Sequence, residues 1–283
     1  MATTSVSNDP KLPPELEMEI FRTAARLAPQ TISHLLCVAH RAFTIEPILY
    51  ETLILSSSTS LALETKPPSF WARNVRNIHI VKSPDKALVL STLSTCTGIE
   101  SLMALCDEDT QDLMPLLAPM RLKRLDIDVG QLFGPQVATY DLHLNPTFAG
   151  LTHLCIQDAH TFKFTTFSTT LPLLPELTHL RLEFGGLGAS GLKVFLRDCK
   201  QLRVLISTTP TEFGPASLPT KGLHDDPRFV FLGKRVGEKD YIEGSQWDSW
   251  ARAEVFVEKK RRGEIDPAWR CWIEESDMIP LVR

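Results

Sequence analysis

Leu151-Thr152-His153-Leu154-Cys155-Ile156 is followed by Leu177-Thr178-His179-Leu180-Arg181-Leu182, the same apolar–x–x–apolar–x–apolar phrase begun again. Outward from this pair the phrase recurs upstream as Val75-Ile78-Ile80, Ile99-Leu102-Ala104 and Leu122-Leu125-Ile127, and downstream as a truncated Leu202-Leu205. The middle positions are 78, 102, 125, 154, 180 and 205, which gives spacings of 24, 23, 29, 26 and 25 residues. Three residues ahead of each first apolar position stand Cys96, Pro119, Phe148, Leu174 and Cys199, with Ala72 the small exception. A period of this length marks a repeat architecture. Each unit reads as a short strand whose apolar positions point inward, alternate residues sharing a face, followed by a return segment. The returns read as helices at 85–95, 110–117 and 189–198. One unit cannot bury its own leucines, but stacked units bury a continuous ladder of them. The expected fold is therefore α/β, an irregular solenoid with parallel strands. A doubly wound α/β domain also alternates strand and helix and stays open as the alternative, although it does not call for this phase.

Composition agrees. Forty of the 283 residues are leucine, and 43% are hydrophobic against 23% charged, which sets the chain apart from disordered and collagen-like sequences. Thirty basic against thirty-four acidic residues leave a net charge of −4, a poor balance for a bulk nucleic-acid binder. The most apolar long stretch, 87–106, is broken by Ser91, Thr92, Ser94, Thr95 and Glu100, so no membrane span is expected. The opening MATTSVSNDPK lacks the apolar core of a secretory leader. Six cysteines without a CxxC pair then read as reduced, mostly buried thiols in a cytoplasmic or nuclear protein.

Three parts follow. Residues 12–53 form a short helical module: Leu16, Ile20, Ala24 and Leu27 recur at helical spacing after Pro13-Pro14, a second helix runs through Ile32, Leu35, Leu36, Cys37 and Val38, and a third lies around 41–49. Residues 54–209 hold the repeats. Residues 210–283 lose the period: 211–226 reads as a loop, 228–232 as a strand, and 247–262 as an amphipathic helix with Trp250, Ala253, Phe256 and Val257 on its apolar side. A last repeat exposes its core, so this part is expected to be a cap, and four of the five tryptophans lie in it.

Gly186-Leu187-Gly188-Ala189-Ser190-Gly191 matches GxGxxG between a strand and a helix, but the acidic residue a ribose needs does not close the next strand, which ends in Ser207-Thr208-Thr209. His153 and His179 hold one repeat position, and adjacent strands place them ~5 Å apart. That spacing suits a metal, yet no third ligand is obvious, although Cys155 and Asp126 share the face. Lys259-Lys260-Arg261-Arg262 is flanked by Glu254, Glu258 and Glu264 and reads as a solvated helix end. No nucleophile or metalloprotease signature is present, so no enzymatic activity, cofactor or resident metal is expected. The histidines read instead as an exposed pair on a binding surface, where the outward positions form three columns, Arg124-His153-His179, Asp126-Cys155-Arg181 and Asp128-Gln157-Glu183, that make one polar patch. Both charge signs are present, which favours a protein partner over nucleic acid.

Leu12-Pro13-Pro14-Glu15-Leu16, then Ile20-Phe21, then Leu35-Leu36-Cys37-Val38-Ala39-His40-Arg41-Ala42-Phe43 resembles an F-box. The continuation Ile45-Glu46-Pro47-Ile48-Leu49-Tyr50, with Asp226-Pro227-Arg228-Phe229-Val230 and Trp250-Ala251-Arg252-Ala253-Glu254, resembles F-box and leucine-rich-repeat-like proteins of basidiomycete fungi. The resemblance implies a short helical F-box followed by an irregular leucine-rich-repeat solenoid and a helical C-terminal cap. It implies a non-catalytic adaptor: the F-box docks on the Skp subunit of an SCF (Skp–cullin–F-box) ubiquitin ligase while the repeats hold a protein substrate. Carried over by position, the Skp-facing residues are Leu12, Pro13, Leu16, Ile20, Leu35, Leu36, Val38 and Phe43. The substrate-facing residues are then Arg124, Asp126, Asp128, His153, Gln157, His179, Arg181 and Glu183. Cysteine, usual after the valine, stands one place before it, at Cys37. The alternative is a repeat scaffold with a degenerate F-box and no link to ubiquitin.

Overall fold

Eight short strands, each too brief for a stable helix, pair into one sheet in the order β1–β2–β3–β4–β5–β6–β7–β8, with no strand out of sequence among the described residues. They are β1 (Thr52–Leu55), β2 (Asn77–Val81), β3 (Ser101–Leu105), β4 (Arg124–Ile127), β5 (His153–Ile156), β6 (His179–Leu182), β7 (Val204–Thr208) and β8 (Phe229–Leu232). The computed structural model describes residues 13–27, 46–57, 63–81, 84–105, 111–128, 132–133, 142–157, 164–183, 189–208, 222–232, 245–274 and 277. The chain divides into two compact units, Met1–Thr52 and Leu53–Arg283.

Every pairing from β2 to β8 is parallel, and the register follows the sequence phrase. The middle position of each unit faces that of the next: Ile78, Leu102, Leu125, Leu154, Leu180 and Leu205 stand in one row, closed by Phe229. Beside it run Ile80, Ala104, Ile127, Ile156 and Leu182, then Ser207 where the sixth phrase is truncated. Both rows are buried, as are the first positions Val75, Ile99, Leu122, Leu151, Leu177 and Leu202. One position slips: Met120 rather than Pro119 fills the slot that Cys96, Phe148, Leu174 and Cys199 fill in their units.

A single hydrogen-bond device repeats at the entry to β3, β4, β5, β6 and β7. The Arg76 carbonyl accepts the N–H groups of Glu100 and Ser101, the Glu100 carbonyl those of Lys123 and Arg124, and the Lys123 carbonyl those of Thr152 and His153. The Thr152 and Thr178 carbonyls do the same for the next two units, all at 2.8–3.2 Å. Parallel strands in strict sequence need each connection to cross back on the same face, since such crossovers are almost always right-handed. A doubly wound sheet reverses its order at a switch point. This one does not reverse.

The return segments are uneven: α3 (Pro68–Asn74), α4 (Lys86–Thr95), α5 (Met114–Leu117), α6 (Phe164–Thr170) and α7 (Ala189–Asp198), with short 3-10 turns at Leu142–Leu144, Pro146–Phe148 and Leu171–Leu173. Helix α4 starts because the Asp85 carboxylate accepts the Ala87 N–H at 3.0 Å, which satisfies one of the unpaired first-turn donors. Helix α7 turns Leu192, Phe195 and Leu196 into the core. Gly98 marks the tightest approach between units: a Cβ there would lie 2.0 Å from the Ala72 carbonyl oxygen and 2.7 Å from Arg76 Nη1. Gly98→Ala is expected to destabilise the fold by about 1–3 kcal/mol through overpacking. Urea unfolding checks it, and a change below ~0.5 kcal/mol, the usual range of a bland surface substitution, counts against it.

β8 continues the sheet beyond the last phrase. Helix α8 (Ser245–Arg261) follows, and the chain then returns so that Trp272 bridges to Phe231, with the Phe231 N–H bonded to the Cys271 carbonyl at 2.6 Å. That strap covers part of an edge that would otherwise invite another strand. In the first unit, α1 (Pro14–Leu27) begins on proline with Glu15 and Glu17 in its first turn, where acidic groups suit the helix dipole. The short α2 (Glu46–Leu49) packs against it. The second helix expected at Ile32–Val38 by sequence lies outside the described residues.

Candidate functional site

The columns expected on the outward sheet face do form. Arg124 pairs with His153 and His153 with His179, while Asp126 pairs with Cys155 and Cys155 with Arg181. Gln157 and Glu183 extend the ladder past the strand ends, their N–H groups bonded to the Ile127 and Ile156 carbonyls. The expectation that these columns make one open polar patch is corrected by their burial. Asp126, Gln157, His179, Arg181 and Glu183 are buried, Asp128 and His153 are half-buried, and only Arg124 is exposed.

The physical reason is α8. Its Trp250, Ala253, Phe256 and Val257 pack with Cys155, Val204, Ile206 and Val230, all outward positions of β5, β7 and β8. The apolar side read from the sequence is right, but the helix lies over the sheet face rather than only over the last repeat. The signal was present: outward positions change from polar in β4–β6 to Val204, Ile206 and Val230 in the last strands, and an apolar outward face needs a cover.

Under that cover lies a closed ionic cluster. The Arg181 guanidinium, fully buried, pairs with Glu183, lies 4.0 Å from Asp126 Oδ2 and donates to Ser249 Oγ of α8 at 3.2 Å. The Gln157 amide donates to Asp126. Burial pushes the Asp126 carboxyl up to about 6, with Glu183 adding to the rise and Arg181 and Gln157 opposing it. Sequence reasoning found Asp126, Arg181 and Glu183 but missed Ser249 and Glu254, which the helix brings from 68 and 75 residues away.

The histidine pair stands beside this cluster. The His153 and His179 rings stack 4.0 Å apart and 4° from parallel, and Trp250 meets both edge-on. Parallel rings send their lone pairs side by side rather than to one point, and among the described residues no three His, Cys, Asp or Glu side chains are placed to hold a metal. Burial takes His153 down to about 3 and His79, on the same face of β2, down to about 4. Both lie below the ordinary value near 6.5, so beneath that pH the unfolded chain binds more protons and their contribution to stability is lost as pH falls. Asp126, raised in the fold, acts the opposite way: its contribution is present below the ordinary carboxyl range and lost as pH rises toward 6. Two histidines outweigh one carboxylate. Stability is therefore expected to drop between pH 6.5 and 4, with a slope of up to about 1.4 kcal/mol per pH unit for each net proton. Urea midpoints across that range check it, and a flat profile contradicts it.

Other singled-out residues fall as follows. In the first unit Pro13, Leu16 and Ile20 are exposed, Leu16 at 54% and Ile20 at 55%, and Leu49 of α2 is exposed too. Leu12, Leu35, Leu36, Val38 and Phe43 lie outside the described residues. Gly186 and Gly188 also lie outside them, while Gly191 is buried inside α7. Lys259 bonds the Asp277 carbonyl, Arg261 pairs with Glu258 and Arg262 with Glu264, so two of the four cations in the basic run have carboxylate partners. Cys96, Cys155, Cys199 and Cys271 are free, buried thiols whose pKa burial raises. Among the described residues no helix is long and apolar enough to cross a membrane. No protein-family model matches the chain, and no curated protein matches its sequence.

Proposed function

We propose that this chain is a non-catalytic adaptor of an SCF-type ubiquitin ligase, built from an F-box and an irregular leucine-rich-repeat solenoid and working in the cytoplasm or nucleus. The F-box docks on Skp, which joins the cullin, and the repeats carry a protein substrate. The observation that supports the first half is the apolar stripe of α1. Leu16 and Ile20 are one helical turn apart and more than half exposed, a costly arrangement unless a partner covers it. Their surroundings are acidic, with Glu15, Glu17 and Glu19 on the same helix, so the docking contact has a charged rim as well as an apolar centre. The repeating carbonyl device and the unbroken strand order support the second half. With α8 over the sheet, the accessible part of the expected substrate face is reduced to Arg124, Asp128 and His153.

The test is co-purification with a fungal Skp protein. Leu16→Ala with Ile20→Ala is expected to weaken capture by tenfold or more, since such contacts rest on a few apolar anchors of ~2 kcal/mol each. Thermal stability should change little because both side chains face solvent. Wild-type protein that binds no Skp at micromolar concentration favours the second reading, a protein-binding repeat scaffold with a degenerate F-box. The placement of Cys37 ahead of Val38 is the sequence feature that favours it.

A further inference from the structure

The seam between α8 and the sheet is built on two titratable rings. Thr152 Oγ1 lies 3.0 Å from the Lys123 carbonyl and 2.8 Å from His153 Nδ1; with its single proton on the carbonyl it accepts from Nδ1–H. His153 Nε2 then keeps a lone pair and is the atom that takes up a proton. His179 repeats the arrangement with Thr178, whose hydroxyl also reaches the Thr152 carbonyl at 3.2 Å, but its Nε2 lies 3.0 Å from Glu254 Oε1 of α8. If Thr178 keeps that carbonyl, His179 carries hydrogen on both nitrogens and is charged. In the neutral ring the Thr178 hydroxyl turns to Nδ1 and Nε2–H serves Glu254. Trp250 stands beside the stack, nearly perpendicular to both rings, 5.4 and 5.7 Å between centroids.

We propose that the His153–His179 pair is an acid-labile seat for α8: neutral rings hold Trp250, and protonation of the stacked pair lifts the first half of the helix from β5 and β6. A second cation in a stack 4.0 Å deep repels the first, and only His179 has a carboxylate, Glu254, in contact with it among the described residues. The groups facing the pair from neighbouring elements make this worse: Arg124 of β4 acts on both rings and Arg203, just ahead of β7, acts on His179, where Glu254 opposes them. Glu100 acts on Arg124. Burial and these cations hold both rings below the ordinary histidine value. Because undocking solvates the rings, the open state takes protons more readily and acid favours it. Release uncovers His179 and the covered part of His153 beside the already exposed Arg124. It depends on neither the F-box nor the ubiquitin reading.

The experiment is hydrogen exchange of the full chain between pH 7 and 4, corrected for the intrinsic exchange rate, comparing residues 245–257 with residues 177–183. In the wild type the helix is expected to lose at least tenfold protection at a pH where the strand keeps its own. His153→Phe with His179→Phe keeps the stack without the protons and is expected to abolish that early loss. Glu254→Gln removes the one carboxylate that favours the charged ring and is expected to move the release to higher pH. Should the double variant not fold, His153→Phe alone carries the same comparison. Helix and strand losing protection at one pH, or variants releasing at the wild-type pH, overturns the proposal.

Discussion

Arg181→Met is expected to cost about 3–5 kcal/mol of folding stability, the usual price of leaving buried charge without its partner. The guanidinium is fully buried and answers two carboxylates, Glu183 and Asp126, both themselves buried. Methionine fills much of the volume but strands both acids in a place without water. Adding Glu183→Gln removes one stranded charge and is expected to recover about half of the loss. Urea unfolding followed by circular dichroism measures both. A loss below ~1 kcal/mol in the single variant means the cluster is hydrated and the argument fails. On an open sheet face the same substitution would be nearly silent, so the experiment also separates the covered face from the open patch that the sequence led us to expect.

Phe256→Ala is expected to cost a similar ~3–5 kcal/mol, by a different route. The ring is buried among Trp250, Ala253, Val257, Val204, Ile206 and Val230, and the Arg270 guanidinium lies 5.6 Å over its centre. Truncation opens a cavity at the centre of the helix–sheet contact and loses the cation–π contribution with it. Exposed apolar surface should follow, read as dye binding at neutral pH that the wild type lacks. Phe256→Leu keeps most of the volume and is expected to cost under ~1.5 kcal/mol. Equal losses for alanine and leucine would mean that packing is not what holds the helix.

The sheet was legible because its period is written in residues of one kind. Leucine and isoleucine at 78, 102, 125, 154, 180 and 205 fixed the register to the residue, since a slip of one would turn every apolar side chain to the other face. The helices read at 85–95 and 189–198 were legible too, and form at Lys86–Thr95 and Ala189–Asp198. β1, α3 and α6 were not. Thr52–Leu55 is a lone apolar run without the phrase, and Phe164–Thr170 is a threonine-rich stretch whose helix comes from packing rather than propensity. The site was half legible. Position along the strand told which residues share a face, but a strand pattern cannot say what comes down upon that face from another part of the chain. Asp126, Arg181 and Glu183 look alike in sequence whether they meet a partner or their own helix.

That helix has a consequence for the birth of the protein. Each strand finds its neighbour in the stretch of chain made just before it, so the sheet can grow as fast as it emerges from the ribosome. The cover cannot. Glu254 meets His179 across 75 residues, and Ser249 meets Arg181 across 68. At roughly 5–20 residues per second, the ionic cluster and its histidines wait about 4–15 s, synthesised but bare, until α8 is translated. In that interval the nascent chain presents the mixed-charge face that α8 later covers, open to any chaperone that prefers such a face.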